Sequence, residues 1–195
     1  MVLAGAPHLL TERLDLRLPV AEDFAAQRAI LADAETARFL GPTSTADRFL
    51  RFGRNAGSWL LYGYGGFTLR LRATGEVIGN CGVFHSWRDL GDDFDDVPEA
   101  GWILRRDQVG RGIGYEAMRA ALEWFDAEHG PRRVVCMIAP DNAPSLRLAE
   151  KLGFTPLRDA VLPGGEAVCL LESWASKPLA PSCAAAAKRR TRPFG

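Results

Sequence analysis

No apolar run in this chain approaches the roughly 20 residues that a bilayer-spanning helix needs, so no membrane span is expected. An excess of charge is equally missing. Among 195 residues, 24 are basic and 24 acidic, giving a formal net charge of zero. That removes the electrostatic basis of bulk nucleic-acid binding. Cysteine is scarce: Cys81, Cys136, Cys169 and Cys183 show neither paired nor metal-type spacing. Three of them fall in predicted strands, where free buried thiols are ordinary, and the reading is a reducing, cytoplasmic setting with no metal. A basic stretch followed by an apolar core is lacking at the N-terminus, so no secretory leader is expected. The composition, 47% apolar and 25% charged, is that of one soluble domain with a sizeable core.

Glycine is concentrated where it is informative. Val109-Gly110-Arg111-Gly112-Ile113-Gly114 follows the predicted strand Gly101-Trp102-Ile103-Leu104 after a short polar turn, and runs into an amphipathic helix over 113–128. Glycines leave backbone N–H groups unshielded, and a helix start adds unpaired donors at the positive end of its dipole. Strand, loop and helix start together make a seat for phosphate oxygens. The Gly-Lys-Ser/Thr ending of a P-loop is missing, with Ile113 and Gly114 in its place, which argues against ATP or GTP. The spacing Gly-x-Gly-x-Gly also departs from the dinucleotide fingerprint by one residue. It lies past the middle of the chain and has no acidic ribose partner at the expected distance.

Strand alternation is present at 14–18, and helical spacing at 21–31 and 45–52. Strands at 66–72 and 77–84 bracket a hairpin-like turn. Residues 134–138 form a short apolar run expected to be a buried strand. Asn142 then suits a helix N-cap, Pro144 the first turn and Gly153 the C-terminal stop. A last strand is expected at 167–172. Beyond Trp174 the composition turns to Ala, Pro and basic residues, so the domain is set at 9–174 and 175–195 is expected to be a disordered tail.

The glycine loop with Glu116-Ala117, together with Asn142-Ala143-Pro144-Ser145 and Glu150-Lys151-Leu152-Gly153-Phe154, resembles the GCN5-related N-acetyltransferase (GNAT) superfamily. Within it, the chain is most similar to the branch of the ribosomal-protein N-terminal (RimJ/RimL-type) acetyltransferases. Thr11 to Arg17 looks like the opening strand of that family, Gly75 to Gly82 like its strand–turn–strand, and Glu99-Ala100-Gly101-Trp102 like the start of its fourth strand. The resemblance implies a single α/β (α+β) domain with a mixed, mostly antiparallel seven-stranded sheet. That sheet would be splayed between strands 4 and 5 and flanked by about four helices. It also implies an acetyl-CoA-dependent N-acetyltransferase that transfers directly to a primary amine, on a protein N-terminus or a small molecule, as a monomer or homodimer. The family's loop usually opens with Gln or Arg where this one has Val109, and a catalytically silent CoA-binding module is the alternative.

By the same resemblance, the coenzyme's diphosphate rests on Val109, Gly110, Arg111, Gly112, Ile113, Gly114 and Tyr115. The pantetheine arm would run along Ile103 and Leu104 like an added strand, held also by Asn142. Arg106 and Arg111 either add charge near the phosphates or are solvated. Ser145 either protonates the leaving thiolate or only caps its helix. Glu99 is the preferred base, acting through water, against a solvated strand-end charge; Glu166 and His85 are weaker candidates. The segment from Asp89 to Glu99 holds five aspartates and a glutamate, which either steer a cationic amine inward or form a solvated loop. The basic run Lys188-Arg189-Arg190-Thr191-Arg192 is read as incidental.

Overall fold

Period-two burial builds the sheet from its N-terminal edge in the computed structural model, which describes residues 6–40 and 44–174. The expected tail and Cys183 lie outside the described residues. β1 (His8–Leu10) and β2 (Leu14–Arg17) pair antiparallel; Leu14 and Leu16 are fully buried, while Asp15 and Arg17 pair with each other on the other face. Three helices follow: α1 (Asp23–Ile30), the one-turn α2 (Ala34–Ala37) and α3 (Thr45–Tyr62). β3 (Gly66–Leu71), β4 (Val77–Phe84) and β5 (Glu99–Leu104) extend the sheet antiparallel. A 3-10 turn at Arg106–Gln108 leads to α4 (Ile113–His129), then β6 (Arg133–Ile138), α5 (Ala143–Lys151), β7 (Thr155–Val161) and β8 (Ala167–Trp174). The strand order is β1-β2-β3-β4-β5-β6-β8-β7, and β5 with β6 is the one parallel pair among the described residues.

The α/β architecture is as expected, with eight strands where seven were counted and five helices where about four were. β1 has three residues and α2 four, too few to show a period. β7 is an edge strand with no buried residue, so its apolar alternation is absent, and its Pro156 is tolerated at an edge. α3 runs ten residues past the expected end at 52. Ser44 and Asp47 cap its start reciprocally, and Gly63, in the left-handed region, closes it.

Since β1 adds a strand, the expected splay between strands 4 and 5 falls between β5 and β6. One register pair, Glu99 with Val135, and a 2.9 Å bond from the Val135 N–H to the Pro98 carbonyl join these strands. From Ala100 onward β5 pairs only with β4, and from Cys136 onward β6 pairs only with β8. The sheet therefore opens as a wedge from Glu99 toward Leu104. Alternation along β5 sends Ala100, Trp102 and Leu104 to the α4 side, against a core containing Ile113, Ala117, Met118, Ala121 and Phe125. Glu99, Gly101 and Ile103 face the opposite side, with α1 and α3. Cys81 and Cys136 are buried free thiols whose pKa values burial pushes up, so both stay protonated and inert.

Candidate active site

The glycine loop is open to solvent. Gly110 and Gly112 both have φ of +78°, a conformation that side chains with a Cβ adopt only at a cost, and Gly112 is the N-cap of α4. The first backbone bond of the helix runs from the Glu116 N–H to the Gly112 carbonyl at 3.1 Å. No N–H from Gly110 to Tyr115 donates to a protein acceptor among the described residues. Residues 109–112 are exposed, so these donors are free to meet an anion. Gly114 has a different role: a Cβ there would lie 3.0 Å from Leu148 and 3.3 Å from Leu104, so its absence lets α4, α5 and β5 meet.

Arg13, which the motif reading passed over, holds this loop in place. Its Nη1 donates to the Arg111 carbonyl at 2.9 Å, and its Nε donates to Glu116 at 2.6 Å. Glu116 also accepts from the Thr11 hydroxyl and the Arg13 backbone N–H. Burial pushes the Glu116 carboxyl up, but these hydrogen bonds outweigh it and hold the pKa below its ordinary 4.5. A carboxyl depressed in the folded state stabilises above its unfolded pKa, and that contribution disappears as pH falls through the folded value. Glu116→Gln should therefore melt earlier than the parent at about pH 7, with the gap closing toward about pH 3. Thermal melts of both proteins across that range check it, and a gap independent of pH would exclude the clamp.

Asn142 and Ser145 stand on the other wall of the wedge. Asn142 caps α5, its Oδ1 accepting from the Ser145 N–H at 3.2 Å, and its side-chain amide donors are left free. The Ser145 hydroxyl accepts a 3.1 Å bond from the Trp102 indole of β5, so the two walls touch through these side chains. An indole is only a donor, which leaves the Ser145 proton available to another acceptor. The loop, Leu104, Asn142 and Ser145 thus share the α4–α5 side. Arg106 instead lines a cavity of about 850 Å³ between α1, α2 and the end of β5, away from the open N–H groups. Val109 is half exposed, and its backbone N–H already donates to the Arg106 carbonyl at 3.2 Å, so it is not one of the free donors.

Glu99 lies at the closed end of the wedge, on the α1–α3 side and only 3% exposed. Arg88 grips it bidentately at 2.9 and 2.8 Å, and the Ser86 hydroxyl donates to the same carboxylate. A carboxylate has about four lone-pair sites, so one remains for water. Two aspartates of the acidic segment are also occupied. Asp93 pairs with Arg158 at 2.7 Å. Asp95 accepts from the backbone N–H groups of Arg88, Leu90 and Gly91; burial pushes its pKa up, but these bonds prevail and hold it low. Asp96 approaches His85 at 3.1 Å without hydrogen-bond alignment. His85 itself is buried, stacked on Tyr62 at 3.9 Å between ring centroids. Glu166 is exposed in the β7–β8 turn, folded against Gly164.

A family model, the acetyltransferase (GNAT) domain, matches residues 13–155. The chain belongs to the GNAT family. A GnaT-family acetyltransferase from Bordetella pertussis matches with a TM-score of 0.76 and 35% identity, covering 85% of this chain and 98% of that one. Uncharacterized N-acetyltransferase p20 of Bacillus licheniformis is 27% identical over 149 residues, 75% of this chain and 81% of p20. RimL, a ribosomal alpha-N-protein acetyltransferase solved in complex with coenzyme A, matches with a TM-score of 0.67 at 17% identity. It covers 86% of this chain and 98% of RimL, and the likeness is one of fold. This GNAT protein is accordingly an acyltransferase, of a family that uses acetyl-CoA. Among its described residues no helix is long and apolar enough to cross a membrane.

Besides Arg13, the motif reading of this GNAT enzyme missed Trp102 as a contact of Ser145, and Arg51, Arg54 and Arg88 near Glu99. Arg51 and Arg54 lie on α3 and feel the charges of both Arg88 and Glu99. No local spacing could have announced that neighbourhood, because helix and strand come together only in the folded chain.

Proposed function

We propose that this enzyme, folded as the single domain 9–174, moves an acetyl group from acetyl-CoA directly onto a primary amine. The observation that carries the reading is the wedge between β5 and β6, with free loop N–H groups at its mouth and Ser145 on its wall. Gly110 to Tyr115 would receive the diphosphate with their N–H groups. The unpaired edge of β5 at Ile103 and Leu104 would take the pantetheine amides, together with Asn142. A β5 backbone N–H would stabilise charge on the thioester oxygen. The amine nitrogen attacks the carbonyl carbon, the C–N bond forms and the C–S bond breaks. The departing sulfur takes the Ser145 proton, the surplus proton of the amine passes through water to Glu99, and solvent returns both groups to their starting state.

The donor meets the α4–α5 face while Glu99 sits on the α1–α3 face, so donor and acceptor would approach the thioester from opposite sides of the sheet. Incubation with acetyl-CoA and pooled amines, including peptides with different first residues, should release free thiol in step with an N-acetylated product. Tight CoA binding with no thiol release across the whole panel would instead establish a silent CoA-binding module. Glu99→Gln should lower kcat about 100-fold, the scale of general acid–base catalysis, with little change in CoA affinity. A normal rate at every pH would remove Glu99 as the base.

A further inference from the structure

The face of the wedge that carries Glu99 is built for an anion. Between α1 and α3, directly over Ile103, lies a narrow cleft lined by Arg28, Arg48 and Arg51 with the carboxamides of Gln27, Asn55 and Asn80. None of its lining residues is acidic. Two of the amides are already oriented: Asn80 donates to Gln27 at 3.2 Å, and Gln27 donates to Thr68 at 3.4 Å. One turn along α3 from Arg51, the Arg54 guanidinium lies 5.8 Å from the centre of the Phe84 ring, and Phe84 is the register partner of Glu99. Neither Arg51 nor Arg54 makes an ion pair or hydrogen bond among the described residues.

Three guanidiniums, Arg51, Arg54 and Arg88, therefore share the Glu99 carboxylate, Arg88 already occupies both of its oxygens, and Asp47 adds only a weak attraction at Arg51. Burial lowers the pKa of Arg51 and brings that of Arg54 down to about 10, with the Arg88 charge adding to both effects. Partly desolvated like charges that outnumber their counter-charges are costly, and an incoming anion lowers that cost. No aspartate of the acidic segment pairs with Arg51 or Arg54 among the described residues: Asp93 is bound to Arg158, Asp95 to backbone N–H groups, and Asp96 lies beside His85.

We propose that the acceptor amine carries a carboxylate beside it and that Arg51 and Arg54 bind that carboxylate, which makes the substrate a free α-amino acid or a close analogue. This rests on the acetyl-transfer reading above. Guanidiniums suit the group because their planar fork matches a carboxylate, and Ile103 in the floor of the cleft belongs to the strand assigned to the thioester. A protein N-terminus fits less well, because its α-carboxyl group has become a neutral peptide amide.

The test pairs each common free amino acid with its own α-amide and its decarboxylated amine, alongside peptides beginning with Glu, and reads thiol release from acetyl-CoA by the full chain. The acid should exceed its amide by about tenfold or more in kcat/KM, mainly through KM, the scale of one charge-assisted bond. Arg51→Gln and Arg54→Gln should each erode that preference, raising KM for the acid more than for its amide and leaving CoA affinity unchanged, and Arg51→Lys should restore part of it. Equal rates for acid and amide would overturn the inference and leave acetyl transfer standing. So would a peptide as best acceptor, or weakened CoA binding in the arginine variants. Absence of thiol release from every amine would overturn both.

Discussion

Gly112→Glu is expected to abolish measurable binding of CoA in a calorimetric titration, a loss of at least about 100-fold in affinity. Two costs combine. At φ +78° the backbone sits where a residue with a Cβ pays about 1–2 kcal/mol. The new carboxylate would also stand at the N-cap of α4, among N–H groups that are free for an anion, and would occupy or repel that anion's place. Its Cβ would lie 3.4 Å from Arg13 Nη2, so the variant would also compete with Glu116 for Arg13, the side chain that holds the Arg111 carbonyl. Gly112→Ala separates the two costs: it keeps the backbone strain without the charge, and about tenfold weaker binding is expected. Gly114→Glu is a poorer probe, because the 3.0 Å approach of Leu148 makes that position a packing contact. Undiminished CoA affinity in Gly112→Glu would remove the loop from the coenzyme site.

How much of this was legible beforehand follows the range of each interaction. The loop, the α4 stripe and the Asn142 cap are local: a positive φ wants glycine, a buried helix face repeats every three to four residues, and a cap bonds three residues ahead. All of these survive in a one-dimensional string. β1, α2 and β7 were lost because three exposed residues, a single turn and an edge strand leave no periodic trace. The acidic stretch from 89 to 99 was only partly legible: Asp89, Asp92 and Asp96 are exposed, as a solvated loop requires, but the partners of the others were not visible in composition. Counting its charges pointed either to steering or to solvation, whereas the fold spends Asp95 on tying its own loop, Asp93 on Arg158 and Glu99 on Arg88. The cationic character of the α1–α3 side was invisible for the same reason. A net charge of zero says nothing about where the charges gather, and Arg51 and Arg88 come from elements far apart in sequence.

Ser145→Ala is expected to lower kcat about 100-fold, within the range that a positioned acid supplies, while KM for acetyl-CoA moves little. A thiol is mostly protonated at neutral pH, so a proton delivered to the developing thiolate as the C–S bond breaks acts on the transition state and not on binding. Ser145 can deliver it because its oxygen already accepts the Trp102 indole N–H, which fixes the side chain and leaves the hydroxyl proton pointing elsewhere. The same bond raises the competing explanation that Ser145 merely props the two walls of the wedge. Trp102→Phe decides between them: it removes the indole donor and keeps the hydroxyl. A large loss in Ser145→Ala with a loss of only a few-fold in Trp102→Phe identifies the hydroxyl as the acid. If both variants lose kcat equally, Ser145 is a positioning residue, and the thiolate takes its proton from water. A second readout separates the cases independently. With the acid present, proton transfer contributes to the solvent isotope effect on kcat, and Ser145→Ala should change that effect, which a purely structural prop would leave as it is.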